Sequence, residues 1–188
     1  RERTFPLTLT ASMTRPLNAE EYAAIGKPQP WGVLSAQAMG ATVRLTHDRR
    51  IMVRNTVEVW PRINMTGRQL MRRQAMHERG LQRRFPHLDA RLFESLWSGV
   101  TCISGNNGQV FERLQPNVMV AGCYNGGGIG LATLFGQQMA HMASGQMTDL
   151  IAQIEARPQP TRLPPQPLLG WGVRMRLLRD RILARKES

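Results

Sequence analysis

The stretch Gly122-Cys123-Tyr124-Asn125-Gly126-Gly127-Gly128-Ile129-Gly130 constrains this chain more than any other, because its glycines stand between an apolar run and a helical pattern. A short apolar run, Val118-Met119-Val120-Ala121, precedes it, and a helical pattern from Leu131 to Ser144 follows. The order is therefore strand, glycine turn, helix. A glycine turn lets bare backbone approach a ligand, and the helix behind it points unpaired N–H groups and the positive end of its dipole the same way. That arrangement suits an anion or an electron-rich ring. A tight turn that merely lets strand and helix pack is the plainer account, and sequence alone leaves both open. The turn is not the phosphate loop of a first βαβ unit. It lies past the middle of the chain, and Asp149, near the distance at which a ribose-binding acid is expected, follows a helix rather than a second strand.

The chain has 188 residues and 41% hydrophobic side chains, enough for one core and a small second layer. Its formal charge of +12 is almost wholly arginine, since Lys27 and Lys186 are the only lysines. The arginines are dispersed and few aromatics lie among them, so neither a stacking platform nor a basic stripe for nucleic acid emerges. Cys102, Cys123, His47, His77, His87 and His141 show no paired metal spacing, and free thiols in an intracellular protein account for the cysteines. No run approaches the roughly 20 apolar residues of a membrane span. No signal peptide opens the chain, so a cytoplasmic protein is expected. Arg1 is not an initiator, and Thr4 to Ala11 already has strand character, as though the chain were the second half of something longer.

In order, Phe5, Leu7, Leu9 and Ala11 alternate with threonines, which suits a half-buried strand. Pro16-Leu17 and residues Asn18 to Tyr22 lead into a proline-rich connection from Lys27 to Pro30. Thr42 to Thr46 and Arg50 to Arg54 flank His47-Asp48-Arg49 as a hairpin with a polar tip, where Asp48 is turn chemistry rather than catalysis. From Thr66 the pattern is helical, with Thr66 and Gln69 as a capping box; Gly80 is expected to weaken or divide the helix, and its arginines to face solvent. Phe85-Pro86 ends it. A strand is expected from Leu92 to Ser104. Beyond the glycine turn, Phe135, Met139 and Met142 give the helix an apolar face, with the methionines as core filler. A short helix at Thr148 to Ile154 precedes a stiff proline linker from Arg157 to Pro167, and Trp171 to Arg185 forms a basic amphipathic tail. The tail suits docking on its own domain or a partner chain, or lying on an anionic membrane surface.

Trp97-Ser98-Gly99, the polar loop after it, Pro116-Asn117-Val118-Met119-Val120-Ala121-Gly122 and the glycine turn into a helix together resemble the C-terminal half of the flavin-dependent D-amino-acid oxidase superfamily. The likeness is to the branch of glycine oxidases and gamma-glutamylputrescine oxidases, and spans roughly residues 4 to 155. It implies an α+β fold: a mostly antiparallel substrate-domain sheet with flanking helices over 1–103, the last strand, glycine turn and helix of a FAD-binding domain over 104–155, and a proline-rich linker with tail helix over 156–188. The N-terminal Rossmann part, with its Gly-x-Gly-x-x-Gly turn for the ADP half of FAD, is missing.

The resemblance also implies the site. The backbone of Asn125, Gly126, Gly127, Gly128, Ile129 and Gly130 would meet the pyrimidine end of the isoalloxazine ring, where reduced flavin carries negative charge. Arg44 and Arg50 match the arginines of the family's substrate hairpin, whereas Arg54 stands where glycine is common. Four residues beyond Trp97, where relatives that grip a substrate carboxylate place arginine, this chain has Thr101; an amine or N-substituted amine is the substrate this implies. The loop at Asn106 lacks the family's acidic residue and proline. Tyr124 either lines the substrate side or packs on the sheet. No side chain is singled out as catalytic and no metal is expected, since hydride passes from the amine-bearing carbon to the flavin. The chain alone is expected to be inactive and to need its N-terminal FAD-binding half, in the same polypeptide or another subunit. The competing reading is a non-enzymatic interaction module or inactive remnant that keeps an oxidase-like scaffold and a basic partner-binding surface.

Overall fold

The computed structural model describes residues 3–37, 39–59 and 65–185. Residues 1–2, 38 and 60–64 of the expected 1–103 segment, and 186–188 of the expected tail segment, lie outside the described residues. The chain forms two compact units, one of residues 1–7 and 101–169, the other of residues 8–100 and 170–188. The fold is α+β and its sheets are mostly antiparallel. Strands β1 (Thr4–Thr14), β2 (Trp31–Leu34), β3 (Thr42–Leu45), β4 (Ile51–Glu58) and β5 (Phe93–Ser104) form one sheet in the order β2-β3-β4-β1-β5; β6 (Val110–Gln115) and β7 (Val118–Gly122) form a separate antiparallel pair.

In the larger unit, helix α2 (Gly67–Arg84) packs on β4, and Leu17, Val43, Leu45, Ile51, Val53, Leu81, Leu88 and Leu92 make the core. The β3–β4 hairpin stands where alternation puts it, with Val43 opposite Val53 and Leu45 opposite Ile51. Its tip is turn chemistry throughout: Thr46 donates to Asp48 at 2.5 Å, Arg50 bonds Asp48 at 2.8 Å, and Arg49 takes the left-handed conformation. Arg50 also reaches Glu94 at 2.7 Å, tying the hairpin to β5.

Several local expectations give way here, each for a physical reason. β1 is not half-buried: it is a central strand, and Thr8, Thr10, Ser12 and Thr14 are buried with the apolar residues. Their hydroxyls find partners, since Thr14 accepts from the Ile51 N–H at 2.9 Å, Thr10 meets Thr56, and Ser12 meets His77 at 2.7 Å. Gly80 does not divide α2. A Cβ there would lie 2.8 Å from Asn55 Nδ2, so glycine lets the helix close onto β4. Arg73 does not simply face solvent but pairs with Glu58 at 2.6 Å. Residues 19–24 form a helix, α1 (Ala19–Ala24), because Asn18 and Glu21 make a full capping box. The added strand β2 pairs along β3 although Val33 and Leu34 are exposed.

In the smaller unit, α3 (Gly128–Ala143) and α4 (Asp149–Glu155) pack on the β6–β7 pair around Phe111, Phe135, Met142, Ile151 and Ile154. Thr148 caps α4 through the Ile151 N–H at 3.2 Å and also donates to the side-chain oxygen of the buried Gln138 at 2.5 Å. The proline segment is held down rather than free. Asn106 donates to the Gln159 carbonyl at 2.9 Å and accepts from the Thr161 N–H at 3.3 Å. A Cβ at Gly108 would lie 2.7 Å from backbone atoms of Pro158, Gln159 and Pro160. Helix α5 (Leu168–Leu183) follows.

Candidate functional site: the turn between β7 and α3

The glycine stretch joins β7 to α3 as expected, but its strained positions are not mainly its glycines. Positive φ falls at Cys123 (56°), Asn125 (51°) and Gly126 (92°). Asparagine is the side chain that best tolerates this region, and here it is also clamped. Asn125 Oδ1 accepts from the N–H and hydroxyl of Ser104 at 2.8 and 3.2 Å, while its Nδ2 donates to the carbonyls of Gly108 at 3.2 Å and Cys123 at 2.9 Å. One amide thus fastens the turn to the end of β5 and to the loop before β6. Gly127 adds a turn bond, its N–H donating to the Tyr124 carbonyl at 2.9 Å.

α3 therefore begins at a fixed place with its first N–H groups bare. Gly127 occupies the N-cap and no side chain caps the helix. Gly128 and Gly130 have ordinary backbone angles, so their missing side chains serve space rather than conformation; a Cβ on either, or on Gly126, would meet nothing within 4 Å. Ile129 projects from the same end and is 84% exposed. The helix is anchored from behind, where Arg113 donates to the Met142 carbonyl at 3.0 Å and to Pro116 at 2.7 Å, placing a cation at the negative end of the dipole. An anion or an electron-rich edge suits such an end: no side chain occupies the cap, the dipole is favourable, and Ile129 offers an apolar surface.

The remaining candidates are not gathered into one cluster. Tyr124 packs its ring edge-on against Phe135, 5.6 Å between centroids, and Phe111 meets the same ring at 5.1 Å. Thr101 is half-buried on β5, where the chain passes from one compact unit to the other. Arg54 donates to Thr42 across the hairpin and has its charge disfavoured by burial. The side chain of Asn125 and its partner Ser104 were not foreseen as structural; an asparagine beside glycines was the available signal. His77 was marked only by its lack of metal spacing. It is fully buried, and burial pushes its imidazole down to about 4.

The sequence pattern of the family described as FAD dependent oxidoreductase matches residues 2–142. Among solved structures, the chain is similar to glycine oxidase from Geobacillus kaustophilus, with a TM-score of 0.55 and 16% identity over 88% of this chain and 41% of that one. It is similar to L-proline dehydrogenase from P. horikoshii (0.55, 17% identity, 77% and 37% covered) and to the deglycating enzyme fructosamine oxidase from Aspergillus fumigatus (0.53, 14% identity, 80% and 37% covered). The chain spans about two fifths of the length of these proteins. No curated protein matches it in sequence.

Proposed function

The chain belongs to the family of FAD-dependent oxidoreductases, and on that premise we propose that it is the C-terminal portion of an enzyme oxidising a C–N bond of an amine or N-substituted amine. The bare, clamped N-terminus of α3 carries this reading. The backbone of Asn125 to Gly130 would hold the pyrimidine edge of the flavin, and the helix dipole would favour the negative charge that this edge gains on reduction. The flavin supplies the hydride acceptor; the chain supplies position and charge stabilisation. The names of the solved relatives support C–N chemistry, since they concern glycine, L-proline and fructosamine. Thr101 favours an amine without a gripped carboxylate, because threonine lacks the fork that arginine offers. The ADP half of the cofactor would be held by an N-terminal FAD-binding half, in the same polypeptide or in another subunit.

The test is to purify the polypeptide encoded at the native locus, with whatever precedes Arg1 in frame, and record its visible spectrum before and after anaerobic addition of primary amines, N-methyl amines and α-amino acids. Flavin absorption bleached by amines supports the reading. A colourless protein, or a flavin bleached by none of these compounds, refutes it.

A second reading, an interaction module, is favoured by helix α5. Leu168, Trp171, Met175, Leu178 and Ile182 repeat at alternating spacings of three and four and are all more than half exposed, while Leu169 and Ala184 on the other side are buried. Arg174, Arg179 and Arg181 flank that exposed stripe; the acid within the helix, Asp180, pairs instead with Arg176 at 2.9 Å. Such a seam suits an amphipathic partner helix with acidic flanks. Flavin-independent binding of an acidic protein, weakened steeply by salt, would support it.

A further inference from the structure

The two cysteines, which flavin chemistry leaves without a task, stand on the two segments that Asn125 joins, Cys102 near the end of β5 and Cys123 at the entry of the glycine turn. Residues two apart on a strand point to the same side, so Cys102 and Ser104 share a face at the end of β5. On that face Ser104 donates twice to Asn125 Oδ1, and the Cys123 Sγ approaches the same oxygen at 3.9 Å. Ser104 with Asn125 makes one rung between strand and turn; Cys102 is the neighbouring residue on that face, and its thiol is one of the influences that raise the Cys123 thiol. Both are free; Cys102 is exposed and Cys123 is buried.

We propose that Cys102 and Cys123 are a reversible dithiol–disulfide pair, oxidised by hydrogen peroxide, which staples the end of β5 to the entry of the turn between β7 and α3. The two thiols have unequal parts. Burial holds the Cys123 thiol at a pKa of about 11, so it stays protonated, and the first attack falls to the accessible Cys102. The Cys102 thiolate attacks one peroxide oxygen, the O–O bond breaks, and water leaves once the departing hydroxide is protonated; Cys102 becomes a sulfenic acid. The Cys123 sulfur then attacks the Cys102 sulfur. The S–S bond forms as the S–O bond breaks, and the proton lost by Cys123 leaves with that oxygen as the second water. Two thiols have lost two electrons and one peroxide has become two waters. Since Cys123 holds a left-handed backbone conformation, the bond would fix the entry to the uncapped helix end. Only the source of the peroxide, a flavin reoxidised by oxygen, rests on the proposed enzymatic reading; the pairing rests on the geometry.

The test uses the full chain without flavin and added hydrogen peroxide, so its failure is distinct from failure of the enzymatic reading. After oxidation and alkylation of remaining thiols, trypsin cuts at Arg113 and places the two cysteines on separate peptides. Non-reducing mass spectrometry should find these peptides joined within one chain, with two hydrogens lost, and separated again by dithiothreitol. In Cys123→Ser, oxidation should halt at a Cys102 sulfenic acid trapped by dimedone; in Cys102→Ser, Cys123 should remain a thiol under the same dose. Two alkylated cysteines after peroxide, sulfinic acid without a cross-link, or cross-links only between chains would each overturn the proposal. Folding of each variant is checked by circular dichroism, and the unsubstituted chain alone decides the pairing.

Discussion

His77 is the residue whose burial has the clearest thermodynamic consequence. Its ring contacts Ser12 at 2.7 Å and Thr10 at 3.4 Å, and lies edge-on to Phe93. The folded pKa of about 4 lies below the ordinary 6.5, so the unfolded chain takes up the proton first as pH falls. Stability from the neutral ring is complete above pH 6.5, declines between 6.5 and 4, and levels off below, for a total loss of about 3 kcal/mol. Urea midpoints measured from pH 7 to 4 should fall accordingly. The upper part of this window belongs to histidine alone, since Glu21 and Asp48 have carboxyl groups held below their ordinary values and contribute only at lower pH. His77→Gln should lower stability at pH 7 and flatten the decline. Asn125 offers a second test. Asn125→Ala removes the clamp to Ser104, Gly108 and Cys123 and forces alanine into left-handed backbone, so a loss of about 3 kcal/mol is expected. Asn125→Gly should recover about 1 kcal/mol of that, by relieving the backbone but not restoring the bonds. Equal losses in urea denaturation would show that the strain is unimportant. The hairpin tip was legible because Asp48 acts through its own neighbours. Asn125 was legible through its backbone, in the turn and as a cofactor contact, but its side-chain clamp was not, because partners of its amide come from Ser104 and Gly108, distant in sequence.

Elements reveal what periodicity misses. Gly80 looked like a helix breaker, yet α2 runs through it because the surface it meets is β4. Gly80→Ala should gain up to about 1 kcal/mol of helix propensity. It should lose more by pressing on Asn55 Nδ2, which is held by its bond to the Met76 carbonyl at 3.1 Å, so a net destabilisation of about 1 kcal/mol is expected from thermal or urea unfolding. The tail helix shows the converse. Its apolar period was visible in sequence, but period alone does not say which stripe is covered. Leu169 is only 8% exposed while Met175 is 71% exposed. Leu169→Ala should therefore cost about 2 kcal/mol, whereas Met175→Glu should stay within about 0.5 kcal/mol in the isolated chain. A large loss from Met175→Glu at low protein concentration would mean that the exposed stripe is covered by the chain itself. The short elements α1 and β2 were harder to foresee. The capping box at Asn18 and Glu21 supports a helix too short for periodicity to register, and β2 owes its pairing to β3 rather than to an apolar face of its own.

For the whole molecule, the proposed amine chemistry turns on Thr101, which stands where the resemblance places a carboxylate-gripping arginine. Selection in this reading comes from what the site lacks. An α-amino acid would bring a carboxylate that no arginine at this position meets, leaving a charge to be desolvated without compensation. A neutral amine carries no such cost. Introducing the fork should reverse the order: in the flavin-loaded full polypeptide, Thr101→Arg is expected to raise kcat/KM for glycine relative to methylamine by about 10- to 100-fold, the range that a charge-assisted hydrogen bond supplies. The comparison of two substrates in one variant removes any general loss of folding or flavin content, since that loss would lower both rates together. Thr101 is half-buried on β5, apart from the glycine turn in sequence, and the flavin spectrum of the variant should remain that of the unsubstituted protein. An unchanged ratio with an unchanged spectrum would place the substrate elsewhere and remove Thr101 from the argument for an amine; a reversed preference would tie substrate choice to one position on the strand that runs from one compact unit into the other.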